Sequence, residues 1–292
     1  MTFFVKVQYI NLLRQQKSFP INQSQKISMT YQEFSIERIQ RISKDIYLLR
    51  FYSEDIAAQA RPGQFVMVRP PKFSEPLLPR PFSIHRLRGD QVEILFKTVG
   101  LGTRQLAGLK KGDPLEVRGP LGQGFNFDQD LDPILVAGGM GVAPLLFLAE
   151  TWKRSREKNR KRSLRLFIGA GNKDELLCLK EFKQVGAEVF AATEDGSYGR
   201  KGLVTRLLST TINKPSPDQT LFVCGPNLML KAVRNWAVQK GISCQLSLET
   251  HMACGLGACL GCVVARKKGT EIAYVNVCQE GPVFEAREVF FE

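Results

Sequence analysis

The amino-acid sequence predicts three folded units in a row: a small antiparallel β barrel, an α/β domain built on a doubly wound parallel sheet, and a short cysteine-rich unit. Short alternating runs fill the first third of the chain, and buried apolar strands then alternate with amphipathic helices. Four cysteines follow near the C-terminus. We place an N-terminal extension at residues 1–30 and the three units at residues 31–130, 131–248 and 249–292.

The barrel is predicted from five short runs in which polar and apolar residues alternate between turn residues. Such spacing is typical of a small antiparallel barrel. We expect a single helix to interrupt it, over residues 103–109. The runs cover residues 34–36, 46–49, 65–68, 92–96 and 115–117.

After Asp132 and Pro133 the pattern changes to strands that alternate with helices. Apolar strands joined by amphipathic helices indicate a parallel sheet covered on both faces. The predicted strands cover residues 134–137, 164–168, 188–191, 220–224 and 243–248. The predicted helices cover residues 143–158, 173–180, 203–208 and 227–239. In the last unit we expect a hairpin, over residues 263–265 and 272–274, as the one regular element.

Composition and length set limits on function. A chain of 292 residues that is 43% hydrophobic can bury a core in each of two domains. The longest apolar stretch, residues 134–149, is interrupted by glycines and a proline and falls short of the roughly 18–20 residues that span a bilayer. We therefore expect no membrane span.

The net charge of +13 raises the question of nucleic-acid binding. Much of the excess is local, because residues 151–162 hold seven Lys or Arg and one Glu, as at the solvated end of a helix. With no nucleic-acid-binding motif in the chain, we expect no nucleic-acid partner, and the charge instead favours an acidic partner or nucleotide phosphates.

The first 30 residues carry four positive charges and no acid. We expect this segment to be disordered, or to lie outside the natural product if Met29 is the start; a transit peptide is the rival interpretation. Nothing in it resembles a secretory signal, so we expect a cytoplasmic protein with reduced thiols.

Four cysteines form the most informative motif. Cys254, Cys259 and Cys262 have the C-x4-C-x2-C spacing that wraps a [2Fe-2S] cluster, and Cys278 supplies a fourth thiol. The small residues between them allow the backbone to curl tightly and to direct N–H groups at the sulfurs. Zinc ligands or ordinary buried thiols are the alternatives, but a zinc site usually has a second close pair.

The two histidines, His85 and His251, have less specific interpretations. An imidazole ligand to the cluster is conceivable for His251, as in a Rieske centre. A surface or hydrogen-bonding role is the simpler expectation for both.

A glycine turn follows the first strand of the α/β domain. Gly138, Gly139 and Gly141 lie between that strand and a helix, and Pro144 suits the first helical turn. Glycines let the backbone approach phosphates, and a helix N-terminus supplies free N–H groups. A phosphate-binding loop is one interpretation, and a tight turn between strand and helix is the other.

Two segments of the barrel suit a flavin nucleotide. The sequence Arg80-Pro81-Phe82-Ser83 places an anion-binding guanidinium on an extended strand whose serine hydroxyl could reach a flavin ring. Further along, Gly100, Gly102 and Thr103 form a Gly-x-Gly-Thr turn at the start of the barrel helix, which suits a pyrophosphate. An ordinary structural turn is the alternative for this second segment.

The three units in this order resemble the ferredoxin-NADP reductase superfamily. Within it, the sequence is most similar to the electron-transfer subunits of NAD-dependent dihydroorotate dehydrogenases. The similarity rests on residues 193–199, 247–249, 251–262 and 277–284, and covers the chain from about residue 34 onward. These subunits usually have another cysteine where Val264 stands, at a position that is not a ligand.

The resemblance implies three cofactors and the residues that hold them. It assigns FAD to Arg80, Pro81, Phe82 and Ser83, with Lys97, Thr98, Val99, Gly102 and Thr103. It assigns the nicotinamide nucleotide to Gly138, Gly139, Gly141, Cys224, Gly225 and Pro226. It assigns a [2Fe-2S] cluster to Cys254, Cys259, Cys262 and Cys278, and it implies no catalytic side chain.

The resemblance also implies a role in pyrimidine biosynthesis. An FMN-containing catalytic subunit oxidises dihydroorotate, in an expected heterotetramer, and its electrons pass through the cluster and FAD to NAD+. FAD suits this role because it accepts single electrons and also transfers a hydride. Lys173 leaves NADP open as the nucleotide.

Other functions stay open at this point. One is an NAD(P)H-dependent flavin and iron-sulfur reductase, although the fifteen residues between Cys262 and Cys278 are too few for a complete ferredoxin domain. A transhydrogenase subunit that serves another acceptor is a second. A regulator that keeps the metal site but has lost its flavin is a third.

Overall fold

A computed structural model describes residues 30–71, 75, 77–128, 130–155 and 162–291. For Thr30, Tyr31 and Lys268 it describes the backbone alone. The expectations for residues 1–29, and for the end of the basic helix at residues 156–161, lie outside this part of the chain.

Six antiparallel strands close into a barrel in the order β1-β2-β5-β4-β3-β6. Closure pairs every strand on both sides and removes the exposed sheet edges. The predicted barrel is therefore confirmed, and the four residues from Arg80 to Ser83 begin its fourth strand. The strands are β1 Thr30–Ser43, β2 Ile46–Tyr52, β3 Phe65–Arg69, β4 Arg80–Arg88, β5 Gln91–Lys97 and β6 Pro114–Leu121.

Two helices accompany the barrel, α1 Glu54–Gln59 and α2 Leu101–Ala107. The expectation of a single helix was wrong. The sequence did not reveal α1 because its six residues are too few to show helical periodicity. Its local signal is Ser53, whose Oγ accepts a hydrogen bond of 3.2 Å from the Ile56 N–H and caps the first turn.

The second domain contains six parallel strands in the order β10-β9-β8-β7-β11-β12. The order reverses direction between β7 and β11, and this is the switch point at which such sheets bind nucleotides. The strands are β7 Asp132–Gly138, β8 Arg165–Ala170, β9 Glu188–Thr193, β10 Arg200–Lys201, β11 Gln219–Cys224 and β12 Ser243–Ser247.

Four helices cover this sheet: α3 Val142–Ser155, α4 Leu179–Val185, α5 Val204–Thr211 and α6 Asn227–Lys240. The prediction of a helix at residues 173–180 was wrong. The structure has a short 3-10 turn at Lys173–Glu175, capped by the side chain of Asn172. Cys178 then adopts a left-handed conformation with φ of 58°, which separates the turn from α4.

Among the described helices, none has both the length and the apolar composition needed to cross a lipid bilayer.

The C-terminal unit contains the predicted hairpin, β13 Val263–Lys268 and β14 Glu271–Asn276. The expectation that the hairpin is the one regular element of this unit was wrong, because α7 Val277–Glu280 and β15 Val283–Glu285 follow it. Strand β15 pairs antiparallel with β12 and adds a seventh strand to the nucleotide sheet. The cysteine unit is therefore joined to the sheet by backbone hydrogen bonds.

Strand β4 of the barrel contacts α3 of the second domain through buried polar groups. His85 Nδ1 donates a hydrogen bond of 2.8 Å to the Ala143 carbonyl, and Arg86 forms a 2.9 Å ion pair with Glu150. Phe147 of the same helix packs into the barrel core. A helix that starts at the glycine turn is thereby anchored to the strand that starts with Arg80.

Burial shifts the titration of His85. Its complete burial, with the neighbouring Arg86 guanidinium acting in the same direction, lowers the pKa of His85 from 6.5 to about 4, although the bond to Ala143 and the carboxylates Glu93 and Glu181 oppose the shift. The ring is therefore neutral at pH 7. Since the unfolded chain binds a proton more readily, the neutral ring stabilises the fold above pH 6.5, and this stabilisation is lost as the pH falls toward 4.

We predict that wild-type protein loses about 2 kcal/mol more unfolding free energy between pH 7 and pH 5 than His85→Gln does. Urea denaturation of the holoprotein at both pH values measures the difference. His251→Gln, at an exposed histidine, is the matched control and should keep the wild-type dependence. Equal pH dependence in His85→Gln and wild type would contradict the assignment.

Candidate functional site

The four predicted cysteine ligands lie around one loop, residues 254–262, which we call the cluster loop. The Leu256 N–H donates a hydrogen bond of 3.3 Å to Cys254 Sγ, and the Gly257 N–H donates one of 3.1 Å to Cys278 Sγ. Cys278 reaches the loop from α7. The loop therefore directs backbone N–H groups at sulfurs from both ends of the motif, as its small residues predicted.

The four thiols lie close enough to interact, Cys254 with Cys259, and Cys278 with both Cys262 and Cys254. Burial alone would raise the pKa of Cys254, but hydrogen bonds from backbone groups and from Cys259 lower it to about 7. Burial and the adjacent Cys262 raise the pKa of Cys278 to about 12. Four neighbouring thiols match the four protein ligands of a [2Fe-2S] cluster.

Across the described part of the chain, no group of three or more His, Cys, Asp or Glu side chains is arranged to hold one metal ion. His251 is exposed. Cys254, Cys259, Cys262 and Cys278 stay the predicted ligands of the cluster.

The backbone of the cluster loop depends on glycine at two positions. Gly255 has φ of +68°, and a Cβ there would lie 2.7 Å from Met67 Cγ; Gly257 has φ of +77°, and a Cβ there would lie 2.8 Å from Gln279 Cγ. Leu260 also adopts a positive φ, 55°, without being glycine. Such a residue costs about 1–2 kcal/mol and often marks a functional constraint.

The cluster loop packs on the barrel. Arg118 of β6 donates a hydrogen bond of 3.0 Å from Nη1 to the Cys254 carbonyl. Gly255 lies against Met67 of β3 and Leu121 of β6. The loop therefore occupies a fixed position beside two strands of the predicted flavin domain.

The two segments predicted to bind FAD meet at one end of the barrel. Strands β4 and β5 are antiparallel neighbours, so the start of β4 lies beside the end of β5. The rings of Phe82 and Phe96 are 5.5 Å apart, which places the Arg80-Pro81-Phe82-Ser83 segment next to Lys97. Residues separated by about fifteen positions in the sequence thus share one surface.

The loop from Lys97 to α2 is held by Thr103. Its Oγ1 accepts hydrogen bonds from the N–H groups of Val99 and Gly100, at 2.9 and 3.1 Å, and donates one to the Gly100 carbonyl. Thr98 is tied to the Asp45 carbonyl through its N–H at 2.8 Å. The residues that the resemblance assigned to FAD therefore form an ordered edge.

Exposed apolar side chains flank this edge. Leu77 and Val99 are 74% and 75% exposed, and Leu78 and Leu101 are also exposed. The Arg80 guanidinium donates a hydrogen bond to the Leu78 carbonyl and has further N–H donors. An apolar surface beside a cation fits a planar ring system that carries phosphates.

The two segments predicted to bind the nicotinamide nucleotide lie on either side of the switch point. Ala137 of β7 pairs with Cys224 of β11. A Cβ on Gly141 would lie 2.0 Å from the Cys224 carbonyl oxygen, and one on Gly138 would lie 2.8 Å from Pro226 Cδ. Glycine is needed at these positions because the two segments touch.

Gly139 differs from its neighbours. It has φ of +52°, and a Cβ added there would meet no atom of the described residues within 4 Å. The sequence predicted all three glycines of the turn for phosphate approach. Of these three glycines only Gly139 faces open space, at the C-terminal edge of β7, and phosphate approach there stays a prediction.

Cys224 and Glu249 lie together beside this segment. Burial raises the pKa of Cys224, with the Glu249 carboxylate acting in the same direction, so the thiol is neutral. Desolvation raises the pKa of Glu249, although part of its side chain meets solvent. Sequence reasoning did not assign Glu249 to a site; its position just after β12, at the same edge as Cys224, is the signal that would have found it.

A cleft of about 810 Å³ lies at the opposite edge of the sheet. Thr220 and Ser243, near the starts of β11 and β12, are among its lining residues. None of the predicted site residues lines it. Size alone therefore does not indicate the nucleotide site, which strand topology places at the other edge.

Three family models match successive parts of the chain. An oxidoreductase FAD-binding domain matches residues 33–126, and an oxidoreductase NAD-binding domain matches residues 135–235. The iron-sulfur cluster binding domain of dihydroorotate dehydrogenase B matches residues 249–290. The predicted cofactors, FAD, NAD and an iron-sulfur cluster, are confirmed.

Full-length relatives identify the family. The dihydroorotate dehydrogenase B (NAD(+)), electron transfer subunit, of Caldanaerobacter subterraneus subsp. tengcongensis is 38% identical over 251 residues, which span 86% of this chain and 95% of the relative. The chain belongs to this family of electron transfer subunits. The Fusobacterium nucleatum member is 37% identical over 274 residues, which span 90% of this chain and all of that member. Membership confirms the resemblance and implies a catalytic partner subunit.

Solved structures agree with this membership. A chain of an NADH-dependent reduced ferredoxin-NADP oxidoreductase, studied for flavin-based electron bifurcation, superposes with a TM-score of 0.76 at 28% identity over 88% of this chain and 89% of that chain. The ferredoxin reductase of carbazole 1,9a-dioxygenase has a TM-score of 0.64 at 19% identity, over 75% of this chain and 68% of that chain. The second likeness shows the fold alone.

We predict that Gly141→Ala weakens NADH binding about tenfold, roughly 1.4 kcal/mol, and lowers the melting temperature. The added methyl group forces the Gly138–Gly141 turn away from Cys224, because the Cys224 carbonyl oxygen occupies its place. NADH titration and thermal denaturation measure both effects. Gly108→Ala is the control, since its Cβ would meet atoms no closer than 3.5 Å; similar losses in the two variants would contradict the proposed contact.

Proposed function

We propose that this chain transfers electrons between a dihydroorotate-oxidising catalytic subunit and NAD+ in pyrimidine biosynthesis. The observation that carries the proposal is the cluster loop, which contains three of the four predicted cysteine ligands, donates a hydrogen bond to the fourth, Cys278, and packs on the flavin-domain strands β3 and β6. Relatives at 34–38% identity carry the name of this electron transfer subunit. A protein of this kind needs a one-electron carrier and a nucleotide site on one chain, and both are present.

We assign the cofactors to the residues that the geometry brings together. FAD lies on Arg80, Pro81, Phe82, Ser83, Lys97, Thr98, Val99, Gly102 and Thr103. NAD lies at Gly138, Gly139, Gly141, Cys224, Gly225 and Pro226. The [2Fe-2S] cluster lies on Cys254, Cys259, Cys262 and Cys278. When bound, FAD exchanges a hydride with NAD and single electrons with the cluster, so it joins two-electron and one-electron carriers.

The residues of this chain bind and orient the cofactors and insulate them from solvent. Arg80 supplies the positive charge for a phosphate, and Thr103 holds the loop that faces it. The neutral Cys224 thiol lies at the end of β11 beside the proposed nucleotide site and adds no charge there. Gly139 leaves room for phosphates. In this scheme no side chain acts as a nucleophile or general base.

The cluster loop also defines the surface that meets the catalytic partner. Leu256 and Leu260 are exposed by 41% and 47%, and Cys259 is exposed between them. Electron transfer falls steeply with distance, so the exposed ligand must face the partner's redox group. We propose an FMN-containing partner in a cytoplasmic heterotetramer.

A second function is a subunit of a pyridine-nucleotide transhydrogenase or of an NAD(P)H-dependent reductase. The observation that favours it is the likeness to the NADH-dependent reduced ferredoxin-NADP oxidoreductase. Lys173, at the C-terminal edge of β8, adds a cation where a 2′-phosphate could lie. The identity to dihydroorotate dehydrogenase B subunits is higher, at 38% against 28%.

One experiment separates the two functions. The purified chain is mixed anaerobically with an FMN-containing dihydroorotate dehydrogenase subunit, and NADH formation is followed at 340 nm as dihydroorotate is added. We expect NAD+ reduction that requires both proteins and dihydroorotate. Reduction of NADP+ with reduced ferredoxin, and none of NAD+ with dihydroorotate, would favour the transhydrogenase.

We predict that Cys259→Ala lowers dihydroorotate-linked NAD+ reduction at least a hundredfold, because the one-electron link to the partner is lost. NADH oxidation by an artificial dye should fall no more than a few-fold, since the FAD and NAD residues are unchanged. Cys244→Ala, at a buried cysteine in β12 away from the cluster loop, is the control and should retain both activities. Wild-type coupled activity in Cys259→Ala would remove the cluster from the path.

A further inference from the structure

Asn276 is the residue immediately before α7, the helix that carries Cys278. Asparagine at this position usually caps a helix, because its side-chain oxygen accepts a hydrogen bond from an N–H of the first turn. Asn276 makes no such bond. Its Nδ2 instead donates a hydrogen bond of 3.3 Å to the Gly257 carbonyl in the cluster loop. The side chain therefore binds the cluster loop and does not cap the helix.

The arrangement in which Asn276 makes this bond is unfavourable for its side chain and for the helix. Its Oδ1 is buried and has no hydrogen-bond partner among the described residues. A buried acceptor without a partner and an uncapped helix both lower stability. The orientation of the amide is consistent, since a reversed amide would place two carbonyl oxygens together at Gly257. This geometry is not the one that helix stability alone would favour.

Gly257 is held on three sides by residues 276–279. Its carbonyl accepts from Asn276, its N–H donates to Cys278 Sγ at 3.1 Å, and a Cβ added to it would lie 2.8 Å from Gln279 Cγ. Because Gly257 has φ of +77°, its backbone lacks the restraint that a side chain would give. The carbonyl and the N–H of Gly257 belong to successive peptide planes that meet at its Cα, so the Asn276 bond holds the residue from one side while its N–H points at the Cys278 sulfur on the other.

A hydrogen bond to a ligand sulfur changes the properties of an iron-sulfur centre. It draws negative charge from the thiolate and so favours the reduced form, which carries one more electron. We propose that Asn276 is a positioning residue that raises the reduction potential of the cluster by holding the Gly257 N–H against Cys278. This inference rests on the proposed assignment of the cluster to the four cysteines.

Asn276→Leu keeps the approximate shape of the side chain and removes the donor. The reduction equilibrium of the cluster should shift about tenfold toward the oxidised form, which is about 59 mV for one electron. A redox titration of the complete complex, followed by the EPR signal of the reduced cluster, measures this potential. An unchanged potential in a variant that retains its iron would overturn the proposal.

A second pair of variants keeps the test decisive if Asn276→Leu loads no cluster. Asn276→Asp and Gln279→Glu both add a carboxylate beside Gly257, but Asn276→Asp alone also removes the donor. The proposal requires a larger fall in potential for Asn276→Asp than for Gln279→Glu. Equal shifts would mean that charge alone acts and would overturn it.

Wild-type protein distinguishes this inference from the function on which it rests. If wild type contains no iron, the cluster assignment fails. If wild type titrates as a [2Fe-2S] protein and the Asn276 variants match their controls, the assignment stands and the role of Asn276 fails. Asn276→His, whose ring N–H can replace the Nδ2 donor, should restore a potential close to wild type.

Discussion

The contact between the cluster loop and strands β3 and β6 of the barrel is the constraint on which the rest of the structure depends. Electron transfer falls steeply with distance, so the thiols must stay close to the flavin domain. Arg118 holds the Cys254 carbonyl, and Gly255 packs against Met67 where no larger residue fits.

Two further sets of contacts hold the three units in fixed positions relative to one another. Strand β15 pairs with β12, so the cysteine unit extends the nucleotide sheet. His85 and Arg86 join β4 to α3, so the strand that starts with Arg80 is tied to the helix that follows the glycine turn. The barrel, the nucleotide-binding domain and the C-terminal unit are each joined to the other two by hydrogen bonds.

The sequence was sufficient to predict what depends on local pattern. Cysteine spacing indicated four thiols that the structure brings together around one loop, alternation predicted most strands, and the glycines of the cluster loop were expected for the tight backbone that they form. Features that depend on tertiary contacts were not predictable in this way. The close approach of Gly141 to Cys224, the pairing of β15 and the bond from Asn276 to Gly257 join residues far apart in the chain. Short elements such as α1, and the left-handed Cys178 that interrupts the helix expected at residues 173–180, have too few residues for periodicity to detect.

The most direct test of the central claim is the iron, acid-labile sulfide and FAD content of the chain, purified anaerobically with its catalytic partner. Four neighbouring thiols, three of them on a loop that packs on the flavin domain, predict two irons, two sulfides and one FAD per chain, with an EPR signal after reduction. A single zinc, or no metal with a full complement of FAD, would contradict the account.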